Sequence, residues 1–257
     1  MAVSKANVSD ALIGRWSVTH HYYLTKFALQ DYGFSGNQLD LLCHYSSVYA
    51  DNPGGALFGN NLVHWSSKQM DYREDIDYSE TNNSQATSWR PGSKSYNYNI
   101  WHSRRSPEEA AANSISENDA MERGMQFGWD QIFASAKEGK LSDLKKNSKG
   151  IKAWGQSVHA LQDAYARKGV DINHHNVRKD VFPSLGEEWS SDYENAGQVT
   201  RYAINVHNLI SCNFAAVKTN EDGNLELRIE GMTENQFREL LSRVQEYIDY
   251  NKSKNKK

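Results

Sequence analysis

The chain has 257 residues, enough to bury one sizeable core as one large domain or two small ones. Its 38% hydrophobic and 11% aromatic content argues against disorder, and 4 Pro with 17 Gly exclude a collagen-like or linker-dominated chain. With 29 Lys and Arg against 32 Asp and Glu the formal charge is -3, so no global basic field advertises nucleic-acid binding.

The opening MAVSKANVSDALIGRW lacks the roughly 7 to 15 apolar residues of a signal peptide, and no stretch reaches the roughly 18 of a membrane span. The expectation is a soluble chain without a signal peptide. Over residues 12–32, Trp16, Tyr23, Phe27 and their neighbours recur at helical spacing, and Gly33 makes a natural stop. Ser35 suits the N-cap of a second helix carrying Leu39, Leu42, Cys43, Ser46 and Tyr49, closed by the breaker run Asp51-Asn-Pro-Gly-Gly55. Residues 71–98 are polar and nearly free of aliphatics, which predicts a long loop with a functional role, bordering a cleft and governing access to it.

Ser106-Pro107-Glu108-Glu109 reads as cap, first helical position and acidic first turn of a helix running towards Gly139. A further helix starts near Ser142 or Ser148 and carries Ile151, Trp154, Val158, Leu161 and Tyr165. Residues 186–217 form another periodic stretch, and 233–250 fit a surface helix before the tail 251–257 frays. Only LELRIEG near Leu225 reads as a strand. The predicted class is all-α, a single multi-helix domain spanning 1–257.

Nine histidines stand out, several of them near carboxylates. His159 and Asp163, in VHALQDAYA, are four apart on a predicted helix and so share one face about 6 Å apart along its axis. Such a pair can hold one metal ion or lie across two; on spacing alone a surface or capping pair is the better reading. His44 and His207 fall within helical periods and read as packing histidines. Glu187, Glu188 and Asp192 precede or open a helix, where capping explains them better than ligation. Cys43 and Cys212 lack CxxC spacing and read as free buried thiols. No GxxxxGK[ST], GxGxxG or GxSxG occurs, so phosphate-loop, dinucleotide and hydrolase-elbow chemistry has no support.

VHALQDAYARKG resembles the His-x-x-x-Asp ligand helix of the zinc-dependent phospholipase C family and its bacterial toxin-like relatives, whose phrase reads HALQDxxxH. THHYYLTKFALQDYGF followed by SSVYADNP is also similar to them, where a His-Tyr-x-x-Thr helix precedes one ending in a metal-binding Asp. The resemblance covers three patches, roughly 19–53, 100–103 and 155–175, in the family's order. It implies the fold of that family and two or three zinc ions held by His21, Asp51, His102, His159 and Asp163, converging on one cleft. His64 is the alternative to His102. His20 would point about 100 degrees away from His21, so only one of them should face the site. His174 and His175 could supply a further ligand, and which one does so stays open.

One position departs from the pattern: Arg167 stands where the relatives' phrase has its last His, and a guanidinium cannot ligate zinc. His159, Asp163 and Arg167 form an i, i+4, i+8 stripe, so incomplete metal binding and impaired catalysis are expected, with Arg167 as ion-pair partner of Asp163.

The resemblance thus implies a zinc-dependent phosphodiester hydrolase, phospholipase C-like, with Asp51 or Asp163 orienting the attacking water. It also implies a toxin or effector domain delivered out of a bacterial cell within a larger protein or by a secretion system, acting on phospholipid with transient membrane contact and restrained by a cognate inhibitor protein. A single-strand-specific zinc nuclease is the alternative enzyme: Tyr78, Trp89, Tyr96, Tyr98 and Trp101 could stack bases or equally insert into a lipid interface, and the negative charge disfavours nucleic acid. A degenerate, non-catalytic binding protein is the third reading, and Arg167 favours it.

Overall fold

The computed structural model describes residues 18–50, 76–77, 100–103, 105, 107–166, 187–211, 214–216, 218–219, 221, 233, 235, 238–244 and 246. Helix α1 (Val18–Asp31) ends where glycine permits a left-handed residue. Gly33 has φ 83°, its N–H donates to the Gln30 carbonyl at 3.0 Å, and the Phe34 N–H donates to Leu29 at 3.2 Å, closing a Schellman turn. The inward face of α1 is not the one that Tyr23 and Phe27 mark. Phe27 is 46% exposed and Tyr23 half-buried; they stack at 5.9 Å with the Lys26 ammonium 5.8 Å from the Tyr23 ring. His21, Tyr22, Leu24, Thr25, Ala28 and Leu29 face the interior instead. Two polar residues one turn apart, His21 and Thr25, have buried partners, and satisfying them sets the rotation of the helix.

Helix α2 (Gly36–His44) follows Ser35, which has the extended backbone of an N-cap but makes no side-chain cap bond. It runs on into a π-helical turn, Tyr45–Tyr49, every residue of which is buried. The expected single helix from Ser106 to Gly139 is two: α3 (Pro107–Ala112) and α4 (Glu117–Glu138). Asn113 turns left-handed at φ 47° and breaks the first. Ser116 and Asp119 then form a capping box for the second, each side chain bonded to the other's backbone N–H at 3.1 and 3.0 Å.

Helix α5 (Lys149–Ala166) starts after Ser148, whose hydroxyl accepts from the Ile151 N–H at 3.3 Å. Helix α6 (Glu187–Ile210) is followed by a short 3-10 turn, Phe214–Ala216, and 238–244 are helical. Among the described residues the fold is predominantly helical, without strands, as the sequence predicts at the level of class; Leu225 and its neighbours lie outside them. The 238–244 segment is less superficial than expected, since Leu240 and Val244 join the core and the Arg243 guanidinium lies over Phe133.

At the centre stands α5, where every residue over 150–164 is buried. Helices α4 and α6 pack along it, with the π turn, α2 and α1 on its other sides. A helix buried all round must let a neighbouring backbone approach closely. Gly155 provides that place: a Cβ there would sit 2.2 Å from the Tyr45 carbonyl oxygen. Trp154 beside it is fully buried and donates Nε1–H to the Leu42 carbonyl at 3.2 Å. Among the described residues no helix is long and apolar enough to cross a membrane.

His207 of α6 is fully buried, its Nε2 lying 3.0 Å from the Ser135 hydroxyl. Burial holds its pKa down to about 3, against an ordinary value of 6.5. Protons therefore bind the unfolded state first, and stability falls as pH drops from 6.5 towards 3. Within that window this group steepens the loss by up to about 1.4 kcal/mol per pH unit. Urea unfolding at pH 7, 6 and 5 should show a shallower acid slope in His207→Leu than in the parent, whatever the variant's stability at pH 7; equal slopes would refute this.

Candidate metal centre

Asp163 lies on the buried stretch of α5, where an interior carboxylate needs a donor, which His102 supplies, or a cation beside it. Three histidines meet it. His159, one turn earlier, places Nε2 3.4 Å from Oδ2; His21 of α1 places Nε2 3.3 Å from Oδ1; His102 places Nδ1 2.8 Å from Oδ2. All four residues are at most 1% exposed. The His21 and His159 rings lie 4.0 Å apart at 36°, and His102 stands edge-on to His159 at 4.7 Å.

The outer bonds determine what these nitrogens offer inward. The far nitrogen of His159, Nδ1, lies 3.1 Å from the Ser46 carbonyl in the π turn, an oxygen that only accepts. Nδ1 therefore carries the proton, and in the neutral ring Nε2 is a lone pair. His21 Nδ1 lies 2.7 Å from Gln162 Oε1, and Gln162 Nε2 donates to the Thr25 and Thr200 hydroxyl oxygens at 3.1 and 2.9 Å. With the amide so oriented, His21 also carries its proton on Nδ1 and turns a lone pair towards Asp163.

His21 Nε2, His159 Nε2 and an Asp163 oxygen thus converge, all within 4.8 Å of one another. Zinc with bonds of about 2.0 to 2.1 Å sets neighbouring tetrahedral ligand atoms about 3.3 Å apart. His21 lies 3.3 Å from Oδ1 and His159 3.4 Å from Oδ2, and one ligand atom from each residue lies within 4.8 Å of the others, so with a small approach of its atoms the group could hold a divalent cation. His102 enters differently: Nδ1 lies 2.8 Å from the carboxylate and 3.1 Å from His159 Nε2, the distances of a donor that steadies the group.

The position of His102 depends on Ser103. That residue is left-handed at φ 48°, and its hydroxyl donates to the Ala160 carbonyl of α5 at 2.8 Å. It fits because α4 has glycine opposite: a Cβ on Gly124 would fall 2.5 Å from Ser103 Cα.

Of the residues singled out from sequence, His21, His102, His159 and Asp163 come together. Asp51, His64, Arg167, His174 and His175 lie outside the described residues, as do Cys212 and the side chains of Glu187, Glu188 and Asp192. His20 points away from the group, edge-on to Tyr193 at 6.3 Å, with its pKa lowered to about 4 by burial and then by the charge of His21. Of the 71–98 segment only Ile76 and Asp77 are described. Ile76 enters the core, while Asp77 pairs with Lys152 Nζ at 2.9 Å and its N–H donates to Asn147 at 2.8 Å. Lys152 is two turns, about 10 Å, from His159 along α5, so these two residues tie down the segment rather than line the group. Cys43 is a buried free thiol whose pKa is pushed far up, first by burial and then by Asp40, the opposite of a reactive thiolate.

Sequence reasoning assigned no role to Gln162, Thr200, Ser46 or Ser103. The available signal was polar residues standing at positions where the helical period demands apolar ones. No protein-family model, curated protein or solved structure matches the chain.

Proposed function

We propose that this chain is a metal-dependent hydrolase whose centre is held by His21, His159 and Asp163 and steadied by His102. The observation that carries the reading is the convergence of two imidazole lone pairs and a carboxylate, each imidazole committed by a hydrogen bond to its far nitrogen. The choice of zinc and of a phosphodiester substrate rests on the resemblance of VHALQDAYARKG and THHYYLTKFALQDYGF to the zinc-dependent phospholipase C family, as do delivery as a bacterial toxin or effector and roles for Asp51, Arg167, His174 and His175. When bound, zinc lowers the pKa of a coordinated water towards neutrality and offsets charge on a phosphate. The chain's part is to keep the imidazoles aimed, through Gln162 and Ser46, and to bring one negative charge, Asp163, against the cation.

A second reading has one observation behind it. The four side chains are at most 1% exposed, whereas a catalytic zinc keeps a position open to substrate. A closed centre serving stability or binding alone meets that burial directly.

Metal analysis of protein purified without chelator, followed by assays on phosphatidylcholine vesicles and on single-stranded DNA, separates these readings. Stoichiometric zinc with hydrolysis of vesicles supports the phospholipase reading, and hydrolysis of DNA supports the nuclease. Zinc without either activity supports the closed centre. Failure to retain or rebind any divalent metal removes all three.

A further inference from the structure

The proton arrangement around His21 can be traced to a backbone carbonyl on another helix. Thr200 of α6 commits its single hydroxyl proton to the Ala196 carbonyl at 2.7 Å, and a carbonyl offers only acceptance. Towards Gln162, 2.9 Å away, the Thr200 oxygen is therefore an acceptor. The Gln162 amide must turn its NH2 to Thr200, which leaves Oε1 for His21 Nδ1 at 2.7 Å. All three of these side chains are at most 1% exposed, so no bulk water relaxes the choice. Thr25 Oγ1, 3.1 Å from the same NH2, is a second acceptor for it.

We infer that Gln162 and Thr200 are positioning residues: together they select the Nδ1–H form of His21 and so aim its Nε2 lone pair at Asp163. The consequence for metal affinity rests on the metal-centre reading above, while the tautomer itself does not. Without Thr200's acceptor only the longer contact to Thr25 Oγ1, at 3.1 Å, holds the NH2, and an amide that reverses favours the opposite form of His21, with a proton on Nε2 where a cation would bind.

The test is nitrogen-15 NMR of histidine-labelled, metal-free protein, using long-range correlations that distinguish the two ring forms, beside zinc titrations of the same samples. The parent and Thr200→Ser should show His21 protonated on Nδ1. Thr200→Val and Gln162→Leu should populate the Nε2–H form and bind zinc about 10- to 100-fold more weakly, as losses of outer-shell partners do. Gln162→Glu, which keeps an acceptor facing Nδ1, should restore the Nδ1–H form. A His21 that stays Nδ1–H in both Thr200→Val and Gln162→Leu overturns the inference. A full change of tautomer with zinc affinity altered by less than roughly 2-fold leaves the positioning role standing and overturns its consequence for metal binding. A parent that shows the Nδ1–H form yet binds no zinc overturns the metal reading and leaves the positioning role standing.

Discussion

Replacing Asp163 by asparagine should abolish stoichiometric metal retention. The substitution keeps volume and shape but removes the charge that a divalent ion must meet between His21 and His159. An ion present at about a thousand times its dissociation constant stabilises the folded state by about 4 kcal/mol, or roughly 8 to 16 °C in a domain of this size. The zinc-loaded parent should therefore melt that much above the chelated parent, and Asp163→Asn should show no such difference between zinc and chelator. Calorimetry under both conditions decides it. A variant that still gains several degrees on adding zinc would mean that Asp163 is not a ligand.

Gly155→Ala should produce a large loss of stability from a single added methyl group. Its Cβ would meet the Tyr45 carbonyl oxygen at 2.2 Å and the carbonyl carbon at 2.6 Å, both backbone atoms of the buried π turn, so no side-chain rotation relieves the contact. Overpacking of this kind costs about 3 kcal/mol at the upper end of its usual range, which lowers the melting temperature by roughly 6 to 12 °C. The same displacement moves Ser46, next in sequence, whose carbonyl fixes His159. Zinc affinity should thus fall along with stability. A melting temperature within about 2 °C of the parent would show that α5 and the π turn separate more easily than their packing implies.

Helices with a clear end signal were legible from the sequence: Gly33 closes α1, and of the two starts the sequence left open, Ser142 and Ser148, it is Ser148 that opens α5, each through local chemistry that needs no distant partner. The break between α3 and α4 was equally local, since Ser116 and Asp119 have capping-box spacing, but it was overshadowed by the stronger signal at Ser106-Pro107. The rotation of α1 was not legible. Tyr23 and Phe27 mark an apolar stripe, and the helix instead turns His21 and Thr25 inwards because their partners lie on α5, 137 and 141 positions away. The site shows the same division. His159 and Asp163 could be paired by helical spacing alone, whereas the roles of Gln162 and Thr200 depend on a hydrogen-bond chain linking three helices. No periodicity encodes such a chain.

Burial of α5 over 150–164 also has a kinetic meaning. The His21, His159 and Asp163 group, at most 1% exposed, sits where α1 meets the most enclosed helix of the fold, so exchange of an ion with solvent would wait on a local opening of the structure. Openings of packed helices occur on timescales from microseconds to seconds and become rarer as the opened unit approaches the whole core. An ion bound there as the chain folds would be held by that enclosure, and its residence time would follow the protein's opening rate more than its ligand bonds.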